Sequence, residues 1–323
     1  MDNSPEVKLE NNISSDNEFK HYTVMLNEAV DALCVGENSD KIFVDATLGG
    51  GGHSALIASR LSNKGRLISF DVDIDAINAA KKKLAPYKNV TIVNDSYTNI
   101  KENLQKLGIE KITGGIIFDL GASYHQLTKA ERGFSFTKDA KLDMRFNQEQ
   151  EFSAWNVVNE YGLDDLVEIF SKYGEERFSK RIARAIIENR PLNTTSQLSE
   201  LIVKSTPKIK SKIHPATRVF QALRIEVNSE LLNFENTLNE VVTLLNAGAI
   251  ISVISFHSLE DRLTKNAFKN FARECRCDRT KAKCECEGKL VEIITKKPVG
   301  ASEDEIRINP PSRSAKLRVA KRV

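Results

Sequence analysis

Glycines and carboxylates follow two apolar segments early in the chain, in a pattern typical of a nucleoside site. Residues 42–53 read Ile-Phe-Val-Asp-Ala-Thr-Leu-Gly-Gly-Gly-Gly-His, so a strand-like run ends at Asp45 and enters four glycines. Glycine has no Cβ, and a loop over Gly49–Gly52 can therefore bring backbone N–H groups against a bound molecule. A second apolar run ends at Asp71, where a carboxylate can accept hydrogen bonds from a ribose.

The charge near this loop indicates which nucleoside would bind. The loop is not G-x-G-x-x-G, and Asp45 precedes it, which suits a positively charged ligand better than a pyrophosphate. S-adenosylmethionine has a ribose, an amino group and a sulfonium, and it has no phosphate. We therefore predict S-adenosylmethionine as the cofactor. An ordinary strand-to-helix turn and a nicotinamide dinucleotide site are the alternatives.

Two later strand ends supply further candidates, because ligands of open α/β sheets bind beyond the carboxyl ends of the strands. Asp119 follows an apolar strand and could face the reacting group; a helix cap or turn residue is the alternative. His257 lies in Phe-His-Ser-Leu-Glu-Asp-Arg, where Ser258 as N-cap and Asp261 at the third helical position would form a capping box. A substrate role for His257 and a simple hydrogen-bonded histidine at a strand end are equal alternatives.

Periodicity predicts the elements that position these residues. We predict strands at Ile42–Ala46, Leu67–Asp71, Val90–Asn94, Gly115–Leu120, Ala249–Phe256 and Val291–Thr295. Helices are predicted at Ser54–Leu61, Ile74–Leu84, Asn99–Leu107, Phe152–Asn159, Leu163–Tyr173, Phe178–Asn189 and Ser196–Ser205, with one long helical run over Pro215–Leu245. The fold class is α/β, a Rossmann-like sheet with an inserted all-helical domain. The expected division is a disordered tail at 1–20, a discontinuous sheet domain at 21–124 and 214–323, and the helical insertion at 125–213.

Composition narrows the class of protein. The chain has 323 residues, 41% of them hydrophobic, and a net charge of +3, and it shows no apolar stretch that would cross a bilayer. We expect a cytoplasmic protein with reduced thiols. Four of the five cysteines form Cys275-x-Cys277 and Cys284-x-Cys286, for which a reduced loop without metal is the favoured interpretation and a structural zinc the alternative.

Eight sequence blocks resemble one enzyme family over nearly the whole chain after residue 20. They begin at His21 (His-Tyr-Thr-Val-Met-Leu-Asn-Glu-Ala), Gly50 (Gly-Gly-Gly-His-Ser), Asp119 (Asp-Leu-Gly), Ala130 (Ala-Glu-Arg-Gly-Phe-Ser-Phe), Leu142 (Leu-Asp-Met-Arg), His214 (His-Pro-Ala-Thr-Arg-Val-Phe-Gln-Ala-Leu-Arg-Ile), Ser255 (Ser-Phe-His-Ser-Leu-Glu-Asp-Arg) and Ser312 (Ser-Arg-Ser-Ala-Lys-Leu-Arg). In these blocks the chain resembles the bacterial small-subunit ribosomal RNA cytosine-N4 methyltransferases of the MraW/RsmH type.

The resemblance implies roles for individual residues. The cofactor contacts that it implies are Gly51, Gly52, His53, Asp71, Tyr97, Asp119 and Gln126. Tyr97, beside the adenine, replaces a common phenylalanine and keeps a ring that can stack. Where relatives usually read Gly-Val-Ser-Ser-Pro-Gln-Leu-Asp, this chain has Gly-Ala-Ser-Tyr-His-Gln-Leu-Thr over 121–128, which places Tyr124 and His125 beside the expected pocket.

The implied reaction is methyl transfer to the N4 amino group of a cytosine in the decoding region of 16S ribosomal RNA. Asp119 is the natural acceptor for the amino hydrogens, Ser123 an auxiliary group and Tyr124 a stacking surface. The Asp/Asn-Pro-Pro-aromatic motif of many amino methyltransferases does not occur at this point. Asp143 and Arg145 are expected either to place the nucleotide or to form a buried salt bridge joining the two domains.

RNA binding requires cations, and the sequence offers three basic clusters. They are Lys204, Lys208, Lys210, Lys212 and Arg218; the segment from Arg262 to Lys283; and Arg313, Lys316, Arg318, Lys321 and Arg322. Arg218 is the substrate candidate among them. The implied partner is 16S ribosomal RNA in the 30S subunit, with no membrane partner and with a homodimer as an open question. Alternatives are methylation of another nucleic acid, an NAD-dependent oxidoreductase and a non-catalytic RNA-binding protein.

Overall fold

The computed structural model describes residues 23–121, 129–207, 213–277 and 288–323. Its centre is a sheet of eight strands: β1 (Ile42–Asp45), β2 (Arg66–Asp71), β3 (Val90–Asn94), β4 (Gly115–Asp119), β5 (Ile250–Ser255), β6 (Val291–Ile293), β7 (Val299–Gly300) and β8 (Lys316–Arg322). The spatial order is β3-β2-β1-β4-β5-β8-β6, and β7 also pairs with β8. The first five strands in this order are parallel, and β8 runs antiparallel to its neighbours.

Twelve α-helices occur in the described ranges. They are α1 (Leu26–Ala32), α2 (Gly52–Ser59), α3 (Ile74–Leu84), α4 (Ile100–Lys106), α5 (Ala154–Glu160), α6 (Leu163–Lys172), α7 (Ser179–Glu188), α8 (Thr195–Ser205), α9 (Ala216–Asn228), α10 (Glu230–Leu244), α11 (Ser258–Phe271) and α12 (Glu303–Ile308). None of them is long and apolar enough to cross a bilayer.

Successive strand residues point to opposite faces, and helices cover both faces of the sheet. Val44, Ile68 and Phe118 pack against α4, α10 and α11. Phe43, Leu67 and Ile117 pack against α1 and α2. The predicted α/β fold class is confirmed, since near-continuous apolar strands buried on both sides are typical of parallel sheets.

The last strand, β8, was not predicted. Its sequence, Lys-Leu-Arg-Val-Ala-Lys-Arg, contains four of the five residues of the third basic cluster. In the structure Leu317 and Val319 are buried, and Arg318 is 6% exposed. Its Nε donates to Asp261 Oδ1 at 2.6 Å, so this cation is neutralised inside the fold rather than presented to solvent.

The predicted helical run over Pro215–Leu245 is two helices. It breaks at Ser229, whose φ of 48° lies in the left-handed region. Helix α9, before the break, belongs to the core of the helical unit with Val219, Phe220 and Leu223. Helix α10, after it, belongs to the sheet core. We therefore propose that the helical unit ends at Ser229 rather than at residue 213.

Candidate active site

A cavity of about 830 Å³ lies beyond the carboxyl ends of the strands, between the sheet and the helical unit. Its volume falls within the range of about 300 to 1,000 Å³ that is usual for small-molecule sites. The lining comes from the turn after β1 (Ala46–Gly50, Gly52, His53), the ends of β2 to β5 (Phe70–Val72, Asp95–Tyr97, Asp119–Gly121, Phe256, Glu260), the helical unit (Phe146, Asn147, Gln150, Arg224, Asn228), the start of α10 (Glu230, Leu231, Asn233, Phe234) and two outer segments (Thr23, Val24, Ile308–Pro311).

The glycine turn takes conformations and close contacts that other residues would strain. Gly49 and Gly51 have φ values of 49° and 72°. A Cβ on Gly51 would come within 3.0 Å of the Ala80 Cβ, and one on Gly52 would lie 1.8 Å from the Thr23 Oγ1. Gly52 lines the cavity, whereas Gly51 packs against α3 and is not among the lining residues.

Asp71 stands at the end of β2, where the ribose carboxylate was expected. Its Oδ2 accepts from the Gly49 N–H at 2.8 Å, and its Oδ1 accepts from the Asp73 N–H at 2.9 Å. Burial raises the pKa of Asp71 to about 6. The side chain is still partly exposed to the cavity, so the carboxylate keeps lone pairs for a ligand.

Tyr97 lies on the same side of the cavity. Its ring meets the ring of Phe118 edge to face, with centroids 6.0 Å apart. Burial, together with the nearby carboxylates of Glu230 and Glu260, raises the pKa of the Tyr97 phenol. The phenol is therefore neutral at physiological pH, and the ring offers an apolar edge to a base.

Asp119 and His53 face each other across the floor of the cavity. The Asp119 Oδ2 lies 3.7 Å from the His53 Nδ1. His53 is buried, its Nε2 lies 3.2 Å from the Val24 carbonyl oxygen, and burial lowers its pKa to about 4. Histidine is therefore neutral here, and its Nε2–H donates to Val24. The pKa of Asp119 is raised well above its usual value, first by burial and then by the charges of nearby carboxylates.

One oxygen of Asp119 is left for a ligand. Its Oδ1 is buried and has no hydrogen-bond partner among the described residues. The backbone N–H of Asp119 donates to the Thr47 Oγ1 at 2.7 Å, which fixes the position of the residue. A buried acceptor without a partner is costly, so this oxygen marks the point where a donor group of a ligand would bind.

Asp45 takes a different position from the one expected. It is 1% exposed, accepts from the Ser54 Oγ at 2.6 Å and the Thr47 N–H at 3.1 Å, and is not among the lining residues. The interpretation of Asp45 as the acid beside the ligand is therefore wrong: it supports the turn from below. The acids that line the cavity are Asp71, Asp95, Asp119, Glu230 and Glu260.

A buried ion network closes the side of the cavity next to α9. The Arg224 Nε and Nη2 donate to the two oxygens of Glu230 at 2.8 and 2.9 Å, and Nη2 lies 3.9 Å from the Glu260 Oε1. Desolvation acts to raise the pKa of Glu260, but the interactions with His257 and Arg224 outweigh it and the net pKa is lowered.

His257 is the N-cap of α11. It accepts from the Glu260 N–H through Nδ1, and the Glu260 Oε2 accepts from the N–H groups of Phe256 and His257. The expected capping box is therefore present, but one residue earlier than the pair Ser258 and Asp261. His257 is not among the cavity-lining residues, so the structure favours the hydrogen-bonded alternative for it.

Asp143 and Arg145 pair with each other and do not join the two units. Their side chains meet at 2.7 Å within one loop of the helical unit. The buried bridge between the units is instead Arg132 with Asp73, at 2.8 Å and with both side chains under 5% exposed. Arg132 also donates to the carbonyl oxygens of Arg145 and Phe146, which holds this loop beside the cavity.

Arg218 lies outside the cavity. It is exposed on α9 and donates to the Glu175 carbonyl oxygen at 3.2 Å. Arg224, six residues later on the same helix, lines the cavity. Sequence reasoning missed Arg224 and Glu260, although both belong to the blocks that carry the resemblance.

Several predicted residues lie outside the described ranges: Ser123, Tyr124, His125, Gln126, Cys284 and Cys286. Of the cysteine loop, Cys275 is exposed and Cys277 half-buried. The described residues hold no group of three or more side chains arranged to bind a metal ion.

Fold and site together define an α/β protein of the nucleoside-binding class, with its cavity beyond the strand ends and Asp71 at the end of β2. Among the described lining residues the one lysine or arginine is Arg224, which is paired with Glu230, so the lining suits a nucleoside without phosphate. The chain belongs to the MraW methylase family, whose model matches residues 18–323, and its methyl donor is S-adenosylmethionine.

Relatives at close to half identity extend over almost the whole chain. The ribosomal RNA small subunit methyltransferase H of Clostridium botulinum (strain Loch Maree / Type A3) is 49% identical over 312 residues, which cover 95% of this chain and 100% of the relative. The protein of the same name from Clostridioides difficile (strain 630) is 48% identical over 95% of this chain and 100% of its own length. That of Caldicellulosiruptor bescii is 50% identical over 94% and 100%.

Proposed function

We propose that the protein methylates the exocyclic N4 of one cytosine in the decoding region of small-subunit (16S) ribosomal RNA. The observation that carries the proposal is the Asp119 Oδ1, a buried acceptor without a partner among the described residues, at the floor of an acid-lined cavity. The names of the relatives support ribosomal RNA as the substrate class.

The residues of the cavity fit S-adenosylmethionine. When bound, this cofactor supplies a methyl group on an electrophilic sulfonium. Asp71 would accept from the ribose hydroxyls, since two backbone N–H groups already orient its carboxylate. Tyr97 and Phe234 would border the adenine. The predicted contacts from Gly52 and His53 remain part of this proposal, and both residues line the cavity.

The amino acceptor needs positioning more than it needs a strong base. The lone pair of a cytosine N4 is delocalised into the ring, so the nitrogen is a poor nucleophile until its hydrogens are held and its orbital is aligned. Asp119 can accept one of those hydrogens through Oδ1 and can take up a proton after transfer, because its pKa is raised. Exclusion of water by the surrounding apolar residues strengthens that hydrogen bond.

The RNA must enter from outside the cofactor site. A cytosine within folded RNA has to leave its stack to reach the cavity floor. We propose that the partner is the 30S subunit in the cytoplasm, where its decoding region is already folded.

The test uses purified protein, radiolabelled S-adenosylmethionine and small subunits from cells that lack this enzyme, followed by digestion of the RNA to nucleosides. Label in N4-methylcytidine is the expected result. Label in another nucleoside would overturn the N4 assignment. Bound RNA without label, with cofactor binding intact, would favour a non-catalytic RNA-binding protein, and calorimetric binding of NAD in place of S-adenosylmethionine would favour an oxidoreductase.

A further inference from the structure

Two groups of different chemistry, an aromatic ring and a guanidinium, lie beside Gly121. Gly121 follows β4 with a φ of 102°. From the point where a Cβ would stand on it, the Phe256 Cδ2 is 3.6 Å away and the Arg224 Nη1 is 4.0 Å away. Asp119, with its free Oδ1, lies two residues earlier, so its Cα is within about 7.6 Å of the Gly121 Cα. Phe256 and Arg224 therefore both approach Gly121, and these three residues line the same cavity as Asp119.

One nitrogen of the Arg224 guanidinium, Nη1, is available to donate to a ligand. Its Nε and Nη2 are held by Glu230, and Nη2 also faces Glu260. The guanidinium plane is therefore fixed, and Nη1 is the nitrogen directed towards Gly121. A guanidinium oriented by two carboxylates loses little freedom when it donates a further hydrogen bond.

The chemistry of these groups complements the edge of a cytosine. That edge presents a donor at N4, followed by acceptors at N3 and O2. An acceptor at Asp119 and a donor at Arg224 complement it, with Phe256 as a stacking surface. Uracil presents an acceptor at position 4 and a donor at N3, which would put an oxygen opposite Asp119 and a hydrogen opposite Arg224.

We propose that Arg224 is a specificity-determining residue that binds the N3 and O2 edge of the target base, while Phe256 stacks on its ring. This inference rests on the proposed function, because it assigns the recognition of the base that is methylated. It also gives a reason for the buried network, since Glu230 and Glu260 hold the guanidinium in the orientation that reads the base.

The experiment pairs a residue change with an atom change in the RNA. Small subunits are reconstituted with 16S RNA that carries either cytidine or 3-deazacytidine, which has a CH in place of N3, at the target. Single-turnover methylation is measured for three proteins: the unaltered protein, in which Glu230 still orients Arg224; Glu230→Gln; and Glu230→Gln with Arg224→Gln. The shared background avoids leaving a buried Glu230 charge unpaired when Arg224 is removed.

The expected result is a coupling between Arg224 and N3. With Arg224 present, loss of N3 lowers the rate about tenfold; with Arg224→Gln, cytidine itself reacts at least tenfold more slowly, and loss of N3 changes the rate less than about twofold. Arg218→Gln, on the same helix but outside the cavity, is the control. Whatever its overall rate, loss of N3 must lower that rate as much as in the unaltered protein; this fold-decrease is the N3 penalty.

Equal N3 penalties with and without Arg224 would overturn the inference, since a purely structural role leaves the penalty unchanged. Calorimetric binding of S-adenosylmethionine to each variant shows that the cavity has folded. If a Gln variant does not fold, Arg224→Met together with Glu230→Met replaces it, because this pair removes the donor without leaving a buried charge unpaired, and a full N3 penalty there would equally overturn the inference. Failure of the unaltered protein to methylate any subunit would instead remove the proposed function.

Discussion

Two salt bridges join residues 129–132 of the helical unit to residues 73–75 of the sheet domain, and they differ in burial. Together they test how much a buried ion pair between the two units contributes to stability. Arg132–Asp73 and Lys129–Asp75 both have an N to O distance of 2.8 Å. In the first pair the side chains are 3% and 4% exposed; in the second they are 39% and 40% exposed. The comparison therefore holds distance and location nearly constant and varies solvent access.

Arg132→Met should cost about 3 to 5 kcal/mol of unfolding free energy, because it removes the guanidinium that compensates a buried carboxylate. It also removes the donors to the carbonyl oxygens of Arg145 and Phe146, at 2.9 and 3.0 Å. Lys129→Met should cost 1 kcal/mol or less, since water screens an exposed pair. If the free energy of unfolding falls by about 3 kcal/mol per M urea, the urea concentration at the unfolding midpoint should fall by about 1 M or more for Arg132→Met. For Lys129→Met it should fall by less than about 0.3 M.

Fluorescence of Trp155, the single tryptophan of the chain, reports the unfolding of the helical unit that contains it. Equal midpoint shifts for the two variants would refute the reasoning, as would a loss of under 1 kcal/mol for Arg132→Met. Arg132→Lys is a further variant that separates charge from geometry, because a single ammonium cannot reach Asp73 and both carbonyl oxygens in the same way.

Three further predictions concern the cavity. Asp119→Asn should lower the methylation rate about 10²- to 10⁴-fold in single-turnover assays while calorimetry shows the cofactor still bound; a loss of less than threefold would contradict its role. The pKa of Asp71 is raised to about 6 and a bound cation favours the ionised form, so cofactor affinity should fall by up to about tenfold per pH unit as pH drops below 6. Binding at pH 6 should accordingly release protons, seen by calorimetry in two buffers, and the absence of proton release would exclude this linkage. Gly52→Ala should lower the free energy of unfolding in urea by about 1 to 3 kcal/mol, because its Cβ would collide with Thr23. The control is Gly36→Ala, whose Cβ would meet nothing within 4 Å and which should change that free energy by less than about 0.5 kcal/mol. Similar losses for the two variants would show that the contact with Thr23 is not tight.

The first strands and the positions of Asp71 and Asp119 could be predicted because their signals are local. An apolar run that ends on an acid and a turn needs no knowledge of the remaining chain. For the same reason the helical unit was recognised as a stretch with helical periodicity and no strands.

Other features depend on contacts that the sequence does not display. Strand β8 carries four cations, and one of them, Arg318, is buried against Asp261, 57 positions away in the chain. The break at Ser229 has no glycine or proline to mark it. Arg224 was missed in favour of Arg218 because the sequence does not show which face of α9 meets the cavity.

The two outer segments of the cavity come from the two ends of the described chain, so the cofactor cavity is complete only when both have folded. Residues 23–24 and 308–311 lie on its outer side, and the Met25 N–H donates to the Glu305 Oε1 at 2.8 Å, across 280 positions of the chain. Contacts so distant in sequence close a long loop, and their loop-closure entropy slows folding. A molecule that has folded only its sheet or only its helices has no complete cavity, and cofactor binding therefore distinguishes finished molecules from unfinished ones and stabilises only the former.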